Sequence, residues 1–341
     1  MTGSKGVFHQ SMNRRRCVKT VLILGAGLLS GVGFLKTAEA SVKKSKVVII
    51  KTSDRVGAIT AGMSHFDLTT FRGATVALKA NYNSADPFPA STHPDTLRAL
   101  AQGLKYAGAG PITLAERSGM GDTAGVLEKM GATEIAREQG VEVVVMDDLG
   151  SDGYVLYCPE DCQWKRGFML ARPFVEADRV VQTCCLKTHQ YGGNFTMSLK
   201  NPVGAVAKYD PTDRYNFMSE LHRSSKQRTL IPEISLVYRN HLIVMDAVKA
   251  FVTGGPHKGK EVEPGVMVVG TDPVAVDAVG VAILRMYGTT SEVSQGRVFE
   301  QEQIRRAAEL GIGAKSAEEI ELVPVGDGAG EFVDEIRRQL T

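Results

Sequence analysis

Apolar and polar positions along this chain alternate between two periods. Short runs of β-branched residues at 47–50, 75–79, 111–116 and 141–147 read as buried strands, too short and too uniformly apolar for amphipathic helices. Between them lie segments with helical spacing. The stretch 92–106 places leucines at 97, 100 and 104 with Pro94 near its start, and 123–130 and 133–139 follow. The second half repeats the theme, with strands at 179–183, 242–245, 266–269 and 320–325 and helices at 272–287 and 301–310. In the longest helix Asp272 stands at the N-cap position and Pro273 at the first turn. Such alternation predicts an α/β fold: a mostly parallel sheet with helices on both faces, as one compact domain or two closely packed halves. The less regular stretch 150–178 reads as an insertion.

Composition adds little to that picture and removes several others. With 341 residues, 43% apolar and 23% charged, the chain is neither disordered nor a polytopic membrane protein. Charge is more informative once divided. Residues 1–40 hold six bases (Lys5, Arg14, Arg15, Arg16, Lys19 and Lys36) against Glu39 alone. The remainder is slightly acidic and offers no electrostatic footprint for nucleic acid.

That basic leader has three parts. Arg14-Arg15-Arg16-Cys17-Val18-Lys19 precedes an uncharged run at 20–35, and Ala38-Glu39-Ala40 supplies a small-x-small cleavage pattern. The run is too short and too rich in glycine for a stable membrane span. Paired arginines before a glycine-rich core resemble a twin-arginine signal. The resemblance implies recognition by the twin-arginine export machinery, folding before export, and a periplasmic or otherwise exported mature chain from about Ser41. Cys17 leaves with the leader, so Cys158, Cys162, Cys184 and Cys185 remain. An oxidising compartment permits a Cys158–Cys162 bridge, whereas the spacing of the four matches neither a zinc ribbon nor a ferredoxin run.

In α/β sheets, functional groups gather beyond the carboxyl ends of strands. Lys79, Asn81 and Asn83 lie where the second strand ends, and a lysine with two amides suits an anionic ligand. The densest cluster follows the fifth strand: Lys187, Thr188, His189, Gly192, Gly193, Lys200 and Asn201. His189 and Lys200 are the candidate catalytic pair, since imidazole titrates near neutrality and a buried lysine can lose its proton or form an adduct. Lys187, Thr188 and Asn201 join Lys79, Asn81 and Asn83 as candidate substrate contacts. Asp246 and Asp277 are candidate metal ligands, although either carboxylate equally suits a structural role. The segment 254–259 is a glycine-rich loop without the ending of a P-loop.

Lys79-Ala80-Asn81, the 186–201 block and Asp272-Pro273-Val274-Ala275-Val276-Asp277-Ala278 together resemble the domain of unknown function 362 family, over about 75–325. Some members of that family carry ferredoxin-type cysteine runs. This chain has none, so an iron–sulfur cluster is not expected. Asp178, a strand, His189, Gly192-Gly193 and Lys200 are also similar in order to the nickel-pincer lactate racemase family. That likeness implies a metal-organic cofactor anchored by Lys200, with His189 as ligand or acid/base. Three functions stay open: an exported enzyme, cofactor- or metal-dependent, acting on a small anionic substrate; a periplasmic binding protein; an electron-transfer or cofactor-carrier subunit. All three require Asn81 and His189 to face one hollow.

Overall fold

The structure is a computed structural model that describes residues 44–160 and 162–341. The leader at 1–40 lies outside the described residues. Twelve strands appear among the described residues, in chain order: β1 (Ser45–Lys51), β2 (Val76–Lys79), β3 (Ile112–Glu116), β4 (Glu142–Val145), β5 (Tyr154–Tyr157), β6 (Phe168–Ala171), β7 (Arg179–His189), β8 (Asn194–Thr196), β9 (Leu242–Gly254), β10 (Gly259–Val262), β11 (Val266–Gly270) and β12 (Ile320–Val325). Ten of them form one sheet, whose main path runs β12-β1-β11-β9-β7-β2-β3-β4, with β10 on β9 and β8 on β7.

Both faces of this sheet are covered, which is why its strands are apolar without alternation. In β1, Val48 and Ile50 pack beneath the helices Arg55–Met63 and Pro94–Tyr106, in one cluster with Leu78, Leu97 and Val244. Val47 and Ile49 face the opposite layer, where the helices Pro273–Met286 and Ala329–Leu340 pack with Leu186, Met245 and Val268. Asp272 does cap its helix, accepting from the backbone N–H groups of Val274 (2.8 Å) and Ala275 (3.1 Å).

Along its main path the sheet is mostly parallel, with one reversed strand; β8 and β10 also pair antiparallel beside it. β11 runs antiparallel to both β1 and β9. A parallel crossover needs a dozen or more residues, usually helical. Here β9 turns directly into β10 and then β11, so the chain returns as a hairpin. The glycine-rich segment 254–259 is the turn of that hairpin.

Two strands are far longer than their apolar runs indicate. β7 continues to His189 and β9 to Gly254, because polar residues at their ends are paired by neighbouring strands. β8 folds back on the end of β7, matching Lys187 with Thr196 and His189 with Asn194. The block 186–189 is therefore part of the strand rather than a segment that follows it.

Within 150–178, β5 and β6 make a separate antiparallel pair. Phe168 and Trp164 join Phe217, Leu221 and Ile231 in a third cluster, which roofs one edge of the sheet. The helices Arg55–Met63, Phe217–Arg223, Gln227–Glu233 and Ala329–Leu340 were not evident from periodicity. No helix among the described residues is long and apolar enough to cross a membrane. Cys158 and Cys162 are separate thiols rather than a bridge. The Cys158 thiol donates to the Arg166 carbonyl at 3.1 Å, and burial pushes the Cys162 thiol up to about 12.

Candidate functional site

The carboxyl ends of β7, β2 and β3 lie side by side, and a cavity of about 610 Å³ opens beyond them. That volume suits a small organic ligand. Lys79, Asn81, Asn83, Lys187, His189, Lys200 and Asn201 all line it, so Asn81 and His189 do share one hollow. Thr188 does not. Side chains alternate along a strand, so Lys187 and His189 point one way and Thr188 the other. The Thr188 hydroxyl donates instead to the carbonyls of Phe251 (3.3 Å) and Gly254 (3.2 Å).

Three lysines reach the cavity in different electrostatic states. Lys79 Nζ donates to Glu116 Oε2 at 2.6 Å and to the Ala80 carbonyl at 2.7 Å, a buried ion pair. Burial works against both charges, pushing the lysine down and the carboxyl up, while their mutual attraction opposes each shift. Lys187 Nζ donates to Asn81 Oδ1 at 2.6 Å and to the Ala90 carbonyl, with no carboxylate in direct contact and Asp86 acting only from further away. Lys200 has neither a hydrogen bond nor an ion pair among the described residues. Burial, then the like charges of Lys187 and Arg117, push it down to about 8. Lys200 therefore stays mostly protonated at pH 7 and gives up its proton in mild alkali.

Close backbone approach makes this crowding feasible at two glycines. A Cβ on Gly193 would sit 2.9 Å from His189 Nδ1 and 3.4 Å from Lys200 Cε. One on Gly204 would sit 2.9 Å from Lys79 Cε. Asn201 lines the cavity but is anchored behind it, its Nδ2 donating to Gln182 Oε1 (2.9 Å) and the Thr183 carbonyl (3.2 Å). Its first task is to hold the Lys200 turn against β7.

Two imidazoles face the cavity, and their backbone partners fix opposite tautomers. His189 Nδ1 accepts from the Gly193 N–H at 3.3 Å, so the neutral ring carries its proton on Nε2. Burial, reinforced by Lys200, His222 and Lys187, holds His189 down to about 2. His222 Nδ1 lies 2.7 Å from the Met218 carbonyl, which can only accept, so this ring is protonated on Nδ1 and bare on Nε2. Although His222 is exposed as a residue, partial burial of its ring and the charge of Lys200 also lower it. Both rings are neutral at pH 7. One offers a donor and the other a base.

Sequence reasoning missed His222 and Arg117. His222 lies on the helix Phe217–Arg223, in a region without a readable pattern, and only the fold brings it beside Lys200. Arg117 had a signal, since it immediately follows β3 at the strand's carboxyl end. Its side chain is 4% exposed, with Nη2 donating to the Val203 carbonyl at 2.7 Å and Nε unpartnered.

The two aspartates proposed as metal ligands are used elsewhere. Asp246 Oδ2 accepts from Arg55 Nε (2.7 Å) and Thr96 Oγ1 (2.6 Å), tying β9 to two helices. Asp277 accepts from the Ser198 N–H (2.7 Å), the Ser198 hydroxyl (2.5 Å) and the Leu199 N–H (3.1 Å). Neither lines the cavity. No group of three histidine, cysteine or carboxylate side chains able to hold a metal occurs among the described residues. The cavity itself offers only the two imidazoles, too few for an ion held by protein side chains alone. The donor set does not fit a directly bound metal.

Comparisons with known proteins place this geometry in a family. No curated protein matches the sequence. Among solved structures, the lactate racemase apoprotein from Thermoanaerobacterium thermosaccharolyticum is similar at a TM-score of 0.42 and 12% identity. The match covers 65% of this chain and 53% of that one, so this chain spans about half of the racemase's length. The family model described as domain of unknown function (DUF362) matches residues 76–282, from the first residue of β2 into the helix Pro273–Met286. Every cavity residue falls within that span, and the chain belongs to the DUF362 family.

Proposed function

We propose that this protein is an exported enzyme that binds a small organic acid and moves a proton on it. One observation carries the reading: two neutral imidazoles of opposite tautomer flank an unpartnered lysine in one electropositive cavity. His189 Nε2–H is placed to donate a hydrogen bond to a substrate oxygen. A neutral imidazole in that role polarises the oxygen without losing its own proton. His222 Nε2, with its lone pair free, is the general base. Lys200 and Lys187 hold the substrate's carboxylate, and Asn81 and Asn83 orient it.

Capture by two hinged lobes is less well supported, because the described residues fall in one compact unit. A carrier role needs soft ligands converging on one point. Cys184 and Cys185 are instead buried in the core, and Cys158 is exposed. Export rests on the leader pattern at 1–40, with the twin-arginine machinery as the partner it implies. A metal-organic group remains a candidate only if it brings its own ligands, and no step here runs through one.

The test is proton exchange. Incubated in deuterated water with a panel of small hydroxy-, oxo- and dicarboxylic acids, the exported protein exchanges a substrate proton, read by NMR. His222→Gln lowers that rate a hundredfold or more, the usual contribution of a general base. Binding of an acid without exchange would reject the enzyme in favour of a binding protein.

A further inference from the structure

The cavity's charge balance defines its ligand more narrowly. Six lysines and arginines line it, Lys79, Arg117, Lys187, Lys200, Lys208 and Arg223, and no lining residue is acidic. Two of these are answered from behind: Lys79 by Glu116 at 2.6 Å and Lys208 by Asp147 at 3.1 Å. Arg223 is exposed at the rim, where solvent screens it. Three cations remain without a direct ion pair: Asp86 acts on Lys187, and Asp147 and Glu116 on Arg117, only at longer range, and no carboxylate acts on Lys200. Lys187 and Arg117 are 1% and 4% exposed, and Lys200 is partly buried beside them. An uncompensated charge held out of water destabilises the fold. A single carboxylate would neutralise one of the three.

We infer that the cavity's ligand is a small organic polyanion, with one acidic group over Lys187 and Lys200 and another over Arg117. The inference rests on the proposed ligand-binding role of this cavity and specifies its substrate class. Lys187 lies on β7 and Arg117 just after β3, with β2 between them. Two strand spacings separate β7 from β3, and by register Arg117 stands level with Cys184, three residues before Lys187, so the two backbones are roughly 14 Å apart. A compound bearing two carboxylates, or a carboxylate and a phosphate, on a short carbon frame spans that distance once the long side chains reach inward. Since the cations repel one another, the bound anion restores protons to the lysines.

Thermal stability of the purified protein is measured at equal ionic strength with phosphoglycolate and citrate, against lactate and chloride. The polyanions raise the melting temperature and lactate does not, in proportion to ligand binding to the native state. Titration calorimetry at pH 8 in two buffers of different ionisation enthalpy shows proton uptake with the polyanions. Lys200→Met weakens their binding at least tenfold and removes most of the uptake. Equal protection by lactate, no protection by either polyanion, or equal binding to Lys200→Met overturns the inference. Proton exchange on a monocarboxylic acid without polyanion protection would sink this inference and leave the enzyme standing. Protection without exchange on any acid would do the reverse. Native mass spectrometry of protein as purified distinguishes a resident polyanion from a freely exchanging one.

Discussion

The buried charges of the β7–β2–β3 cavity behave differently from those along β9 and the helix Pro273–Met286. Asp246 has its ion pair with Arg55 and a threonine hydroxyl, and Asp277 has three donors, although burial still pushes its carboxyl up to about 7. Across the sheet, Lys200 has no partner, and Lys187 and Arg117 have only neutral ones. Both regions bury charge on or beside the strands and helices of the core, so burial alone does not separate them. Saturation does. A charge whose bonds are all made within the fold stabilises or positions; a charge left open at a cavity wall is kept there for something that arrives.

Three substitutions would break or sharpen this contrast. Asp277→Ala should have the largest effect on stability, about 3 kcal/mol or more, because it leaves buried donors on Ser198 and Leu199 unpaired. Chemical denaturation measures it, and wild-type stability in this variant would return Asp277 to the candidate ligands. Lys200→Met should act in the opposite sense. The native pKa of Lys200, about 8, lies below its ordinary 10.5, so the folded state binds fewer protons between these values. The charged lysine therefore costs stability below pH 8, and that cost fades as pH rises toward 10.5. The full shift corresponds to about 3 kcal/mol, and with solvent screening of the partly exposed side chain the variant should be more stable by about 2 kcal/mol at pH 7. Melting curves across pH should show the gap closing in alkali, and a gap that is constant with pH would mean the lysine is not strained. Thr188→Val should have the smallest effect, about 1 kcal/mol from two lost hydrogen bonds. Calorimetry should show polyanion binding unchanged, and a weakened affinity would place Thr188 back at the site.

How much of this was legible can be argued from single residues. The strand at 47–50 was readable because burial on both faces leaves an unbroken apolar run. The cap at Asp272 was readable because capping is local chemistry within three residues. Lys187, His189 and Lys200 were found together because one segment carries them. Thr188 was misplaced because the polar end of β7 hid its continuing period of two. His222 and the partners of Asp246 and Asp277 left no local trace, since each depends on residues tens or hundreds of positions away.

Patterning by itself determined the mostly parallel α/β sheet, its helices on both faces and the neighbourhood of the site, because burial and backbone geometry act over a few residues. Only the tertiary structure decided which charges are answered. A lysine's state depends on the nearest opposite charge in space. Lys79 finds Glu116 on the next strand, and Lys200, with a similar sequence signature, finds an open cavity.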